Sequence, residues 1–394
     1  MTPPPRMGIR GILLLAIASA IVTANAYYIH PIVGPVADSF DVSDSLVGAV
    51  PALNQIALAL GVLLLLPLGD RISNRRLVIV CLSAQVIALI TMATVESFSL
   101  FVVASAALGF FTITPYLLPA YASKRVDPAQ LGFVTAVLTT GVIAGVQLSR
   151  LSAGVIGEYL GWRTVYWMAA TLMILSAIAL PVLMRDDDNR AESKTSYWQL
   201  LGSLQALATR HPNVMMSGVI QGLSFAIFLA TWMGIGLHLT SPEMGLGTDT
   251  VGYLSAFSAI GLLVTPRLGI WADRLGAERL RMMVAFAQLL GVVLLAFASA
   301  EWWHLLFPIA VFCVFGPMID ITGRMTSLSQ SPETRTRMMS LYITLMFIGG
   351  GMGSWGGTIA YDLAGWSGTI TFVTGLSILV CALATREYCI RIKK

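Results

Sequence analysis

The chain has 394 residues, of which 56% are hydrophobic and only 11% are charged, with a formal net charge of +4. Soluble domains are about a quarter charged, so this composition excludes a soluble globular protein and points to the lipid bilayer. The small positive surplus is spread over many loops, which excludes a basic nucleic-acid-binding domain.

In chain order, apolar stretches of about 20 residues, the length a helix needs to cross the hydrocarbon layer, are predicted over 11–36, 45–68, 77–95, 98–122, 131–157 and 164–184. These are spans 1 to 6. A polar segment from Arg185 to Arg210, with Asp186-Asp187-Asp188, reads as a solvated linker. Spans 7 to 12 are predicted over 213–238, 249–272, 280–300, 302–323, 338–361 and 368–388. The expected organisation is an all-α membrane protein: twelve transmembrane helices in two pseudo-symmetric six-helix bundles, 1–184 and 213–394, around a cytoplasmic linker at 185–212. Arg6, Arg10 and Ala24-Asn25-Ala26 around the first apolar run imitate a secretory signal. Removing that segment would break the six-plus-six pattern, so it is read as span 1.

The halves share landmarks. Leu68-Gly69-Asp70-Arg71-Ile72-Ser73-Asn74-Arg75-Arg76 follows span 2, and Gly269-Ile270-Trp271-Ala272-Asp273-Arg274-Leu275-Gly276-Ala277-Glu278-Arg279 follows span 8, with Asp70 and Asp273 offset by 203 positions. Gly161-Trp162 recurs as Gly365-Trp366, and Pro115 has a counterpart in Pro317. Internal duplication of a membrane bundle is a recurrent signature of transporters.

Most of the 24 Lys and Arg residues fall at the termini and in the loops after even-numbered spans, whereas the opposite loops carry Asp38, Asp41, Asp44, Glu96, Glu158, Glu243, Asp249, Glu301 and Asp362. Basic residues near span ends stay on the cytoplasmic side, so both termini and the linker are expected there. Cys81, Cys313, Cys381 and Cys389 lack CxxC spacing, so neither a disulfide framework nor a metal site is indicated. No cofactor is expected. The chain has no Gly-Lys pair for a phosphate-cradling loop, no HExxH and no Gly-x-Ser-x-Gly elbow, which argues against an ATP-driven pump or a membrane hydrolase.

The two Asp-Arg loops resemble the signature loop of the major facilitator superfamily. The second is the better match, since the first has Leu66 and Ser73 where glycines are expected. Gly141-Val142-Ile143-Ala144-Gly145 through Gly161-Trp162-Arg163, and Phe347-Ile348-Gly349-Gly350-Gly351-Met352-Gly353-Ser354, extend the likeness over both halves. Tyr27-Tyr28-Ile29-His30-Pro31 and Pro332-Glu333-Thr334-Arg335-Thr336-Arg337 are similar to bacterial members of the drug/proton antiporter branch. The resemblance implies a conformational lock in which Asp70, Arg71, Arg75 and Arg76 act near span 11 and Asp273 and Arg274 near span 5. It also implies that spans 1, 4, 7 and 10 line a central cavity.

Few polar groups lie deep in the spans. Arg150 is the deepest base and corresponds to Ser354 in span 11. A charge at such depth costs at least about 2.5 kcal/mol on insertion scales, so it faces either a substrate or a structural partner. With the family's cavity spans, the candidates for substrate contact are Asn25, Tyr28, His30, Asn54, Tyr116, Arg150, Gln221, Trp232 and Asp320, with Phe225 and Phe228 beside them. Any one of them could instead be interhelical glue. Gly141 with Gly145 and Gly353 with Gly357 place bare strips on spans 5 and 11, for sliding between the halves or for static packing.

The arginine that many proton-coupled relatives carry in span 4 would fall near Ser105, and no acid occupies the middle of span 1. His30 and Asp320 are the candidates for proton exchange. The expected function is a secondary active transporter of the bacterial inner membrane, a monomer, with a small-molecule substrate, a proton and the bilayer as partners. It would export a small amphipathic compound or drug. The alternatives are an uptake symporter or uniporter for a small organic anion, and a non-transporting receptor or sensor.

Overall fold

The computed structural model describes residues 7–123, 125–127, 130–184, 197–259, 275–297, 301–328, 330 and 332–392. Asp273, Arg274 and residues 185–196 of the expected linker lie outside the described residues, as does the side chain of Asp70. Among the described residues there are helices and turns and no strand. Nine helical stretches there are long and apolar enough to cross a membrane. The last, Arg337–Ile392, holds spans 11 and 12, because the helix Pro332–Ile392 breaks at Ala364 and Gly365.

The repeated Gly-Trp landmark acquires a physical meaning here. Gly161 (φ 83, ψ 153) separates helices Leu131–Leu160 and Trp162–Leu183, and Gly365 (φ 57, ψ −147) separates spans 11 and 12. That region of backbone space is open almost only to glycine, so the landmark marks where one span turns into the next. The signature loops end by two different devices. Gly276 takes φ 82 before helix Ala277–Leu295. Ser73, in the equivalent place, keeps φ −56 and caps helix Asn74–Thr94 by accepting the Arg76 N–H on Oγ at 3.4 Å.

Spans 1 and 4 are not continuous. Span 1 is Ile9–Ala24 and Ile29–Phe40 with a turn between, and span 4 is Phe98–Phe111 and Thr114–Ser123. Broken backbone inside a membrane must find partners within the protein. Gln85 of span 3 reaches both breaks, bonding a backbone carbonyl at the span 4 break and a side chain at each. Its Nε2 donates to the Phe111 carbonyl at 2.9 Å, and its Oε1 accepts from Thr112 at 3.3 Å and from Asn25 Nδ2 at 3.5 Å. Gln288, 203 positions later, pairs with Ser224 of span 7 at 3.1 Å.

The glycine strips pack each half internally. Gly141 and Gly145 face the Ala16 and Ala20 backbones of span 1, while Gly349, Gly353 and Gly357 face Gly222, Ala226 and Ala230 of span 7. Static packing is therefore their role. The halves meet elsewhere, and several of their contacts lie at the end of the bundle distal to the termini. There Gly154 of span 5 faces Gly252 of span 8, Gly48 of span 2 faces Thr358 of span 11, and Gly236 of span 7 faces the His30 carbonyl. Glu158 closes the span 5 seam: its Oε2 accepts the Thr248 N–H at 2.7 Å and the Thr248 hydroxyl at 3.2 Å, at the start of helix Thr248–Ser258.

The linker differs from a purely solvated segment. Residues Tyr197–Arg210 form a helix with Leu204 and Leu207 buried. The Tyr197 hydroxyl donates to the Leu64 carbonyl of the first half at 2.9 Å, and Arg337 of the second half donates to Ser203 at 2.8 Å. Leucines three residues apart supply one apolar face, and that face is what docks the helix.

Candidate functional site

The site forms where the break in span 1 meets spans 5 and 7. Arg150 is fully buried, and its guanidinium reaches both halves. Nε donates to His30 Nδ1 at 3.1 Å, and Nη1 donates to Gln147 Oε1, one turn earlier on span 5, at 3.1 Å. Because His30 Nδ1 is the acceptor, the ring proton sits on Nε2. Gln147 in turn donates through Nε2 to the Ser255 carbonyl at 3.3 Å and to the Ser258 hydroxyl, both on span 8.

Three aromatic rings surround the guanidinium. Its carbon lies 4.4 Å from the Trp232 ring centroid, 4.8 Å from Phe228 and 5.3 Å from Tyr27. Each face is worth about 0.5–2 kcal/mol to a cation, more when water is excluded. The rings thereby offset much of the insertion cost without a carboxylate. Gln221, Phe225, Phe228 and Trp232 stand at helical spacing along Pro212–Leu239 and form one stripe. An aromatic run continues it: Phe228 stacks on Phe225 (5.9 Å) and Phe312 (6.0 Å), and Phe225 meets Phe347, which meets Tyr116 at 5.8 Å.

Arg150 Nη2, His30 Nε2 and Trp232 Nε1 are buried donors without a hydrogen-bond partner. A second buried arginine shows what a structural role looks like in this chain. Arg281 of span 9 spends all five of its N–H groups: on Thr322 Oγ1 (3.2 Å), the Thr322 carbonyl (2.8 Å), Thr326 (2.8 Å), Ser217 (2.7 Å) and Glu387 (2.6 Å). It ties spans 7, 9, 10 and 12 together. From sequence it counted only as a loop charge, and nothing in a single chain marks it as buried.

A second polar centre lies on span 10. Asp320 accepts Arg324 Nε on both carboxylate oxygens at 2.9 Å, and the Tyr342 hydroxyl of span 11 donates to Oδ1 at 2.9 Å. An added Cβ at Gly323 would strike the Tyr342 ring, so that glycine makes room for the contact. Arg324 was missed in the sequence, although an acid and a base four residues apart on a helix are a readable signal.

Of the candidate residues, His30, Arg150 and Trp232 come together in one cluster, and Asp320 anchors the other. Tyr116 joins the aromatic run, and Gln221 is buried with Oε1 unpartnered. Asn25 faces Gln85. Asn54 donates to the Ser105 carbonyl of span 4 at 2.8 Å, and Tyr28 belongs to the core of the first half. Arg71, Arg75 and Arg76 flank the start of helix Asn74–Thr94.

A sequence model described as Major Facilitator Superfamily matches residues 15–330 and 214–388. The chain is 27% identical over 361 residues to an uncharacterized transporter, YgaY, of Escherichia coli O157:H7, covering 91% of this chain and 90% of that protein. It is 24% identical over 240 residues to the multidrug resistance protein MdtG of Dickeya zeae, covering 60% and 58%. Among solved structures, the nucleoside transporter NupG superposes with a TM-score of 0.72 at 16% identity, over 96% of this chain and 99% of that one.

Proposed function

The chain belongs to the Major Facilitator Superfamily and is a multi-pass membrane transporter with that family's fold; on that premise we propose that it works by alternating access and exports small amphipathic organic compounds in exchange for protons. The observation that carries the reading is Arg150: a buried cation at the junction of the halves, caged by rings, with a donor to spare. Arg150 holds an anionic or acceptor group of the substrate, and the run from Trp232 and Phe228 to Tyr116 takes its apolar body. Likeness to a multidrug resistance protein supports export of such compounds.

Asp320 is the proton carrier in this reading. Its proton would displace Arg324 from the carboxylate and change the charge facing the substrate. His30 is the weaker choice, because a proton on Nδ1 would face the Arg150 Nε–H at 3.1 Å. Asp70, Arg71, Arg75, Arg76, Asp273 and Arg274 serve as the conformational lock at the end near the termini, which lies in the cytoplasm of a bacterial inner-membrane protein. The working unit is the monomer.

Uptake or uniport of a small organic anion is the second reading, favoured by the absence of a carboxylate on Arg150 among the described residues. The deciding experiment is flux into proteoliposomes holding only this protein, over a panel of amphipathic compounds, with and without an imposed pH gradient. Export coupled to protons requires flux that follows the gradient in the wild type and ignores it in Asp320→Asn. Flux insensitive to the gradient selects the uniporter, and binding without flux selects a receptor.

A further inference from the structure

Arg150, His30 and Trp232 together present more than one cation. Three of their nitrogens, Arg150 Nη2, His30 Nε2 and Trp232 Nε1, are buried and have no partner, and all three are donors. The side chains that carry them touch: the imidazole accepts Arg150 Nε at 3.1 Å, and the indole lies 4.4 Å from the guanidinium carbon. The one acceptor bound to the guanidinium from its own span, Gln147 Oε1, is already used by Nη1. A buried donor left unmade costs about 1–3 kcal/mol, so three on touching side chains are a standing demand for acceptor oxygens. Water, or an oxyanion, can meet it.

Charge decides between the two. The guanidinium has no carboxylate within salt-bridge distance among the described residues, so the cluster carries a net positive charge in an apolar shell. A neutral acceptor satisfies the hydrogen bonds but leaves that charge uncompensated, whereas a carboxylate does both. At the cluster itself an organic cation meets unpartnered donors and like charge. We infer that Arg150, His30 and Trp232 form an oxyanion pocket that selects monocarboxylates with an aromatic or alkyl body and rejects cationic amphiphiles.

The inference rests on the transporter reading for its biological use but not for its test. The stacked rings of Phe225, Phe228 and Phe312 account for the body, since they form an apolar run that starts beside the guanidinium at Phe228. His30 acts as a neutral donor here, fixed in its Nε2–H tautomer by the bond to Arg150. Trp232 supplies both a ring face to the arginine and an N–H to the ligand, two roles that one substitution separates.

The test uses the purified full-length protein in nanodiscs and four bodies, phenyl, naphthyl, indolyl and octyl, each carrying a carboxylate, a carboxamide or an ammonium group. Equilibrium binding should rank carboxylate over amide by about tenfold or more, as expected for charge-assisted hydrogen bonds, with no competition from the amines. Trp232→Phe, which keeps an aromatic face and removes the N–H, should weaken carboxylates severalfold and amides by less, because the bond to a charged acceptor is the stronger one. Arg150→Gln should abolish the preference for carboxylate. Tight binding of amines, equal binding of amides and acids, or no binding of any carboxylate overturns the pocket. Amides or amines that are transported leave the transporter reading intact while removing the pocket. Carboxylates that bind without flux in proteoliposomes do the reverse.

Discussion

Arg150 of span 5 and His30 of span 1, 120 positions apart, share a hydrogen bond of 3.1 Å in which the charged side chain is donor and the imidazole acceptor. The bond holds the guanidinium against the break in span 1 and sets the imidazole tautomer at once. It makes the arginine a fixed element of the junction between the halves with part of its fork left over, which is the arrangement expected of a ligand-binding cation.

Arg150→Lys keeps the charge but cannot reach His30, Gln147 and a ligand together, because an ammonium lacks the planar fork. Affinity for anionic substrates should fall about tenfold or more, and Arg150→Ala should lose anionic compounds more than neutral ones. Competition binding measures both. Equal losses for all compounds, or only a lower folding yield, would make the arginine structural.

Arg281 supplies the contrast. Arg281→Gln leaves Glu387, whose side chain is 12% exposed, without its counter-charge, at a cost of about 3–5 kcal/mol. The expected results are a lower thermal midpoint in detergent and unchanged substrate affinity in the protein that survives. Arg281→Met combined with Glu387→Leu should recover most of the stability, since neither buried charge remains. A double variant no better than the single one would contradict this account.

The seam at Glu158 should report on gating. A carboxylate at a helix N-terminus gains about 0.3–1 kcal/mol from the dipole and the free N–H groups. Glu158→Gln keeps an acceptor near Thr248 and loses the charge, so the closed distal seam should lose roughly twofold to fivefold in population. Spin-label distances across spans 5 and 8 would follow the change. An unaltered distribution would reduce Glu158 to a surface acid.

Cys389 gives a native probe of topology. It is exposed at the end of the last helix, whereas Cys81, Cys313 and Cys381 are buried. A membrane-impermeant maleimide should therefore label the wild type at one site, in inverted vesicles and not in intact cells. Labelling of intact cells would place the C-terminus outside and reverse the assigned orientation.

The sequence alone determined the apolar segments, the duplication and the family likeness, because those rest on hydropathy, charge bias and motifs that are local along the chain. It also singled out Arg150, His30, Trp232 and Asp320, since a polar group inside an apolar run is conspicuous without a structure. It could not tell an arginine with donors to spare from one whose fork is fully spent. Arg281 looked like a loop charge and Arg150 like an anomaly, and the difference lies in whether residues 41 to 106 positions away spend every N–H of the fork. The role of Gln85 at two helix breaks, the glycine strips joining spans within each half, and the docking of Tyr197–Arg210 were likewise tertiary decisions. Each depends on which faces of separate helices meet, and side-chain spacing within one helix does not specify its neighbour.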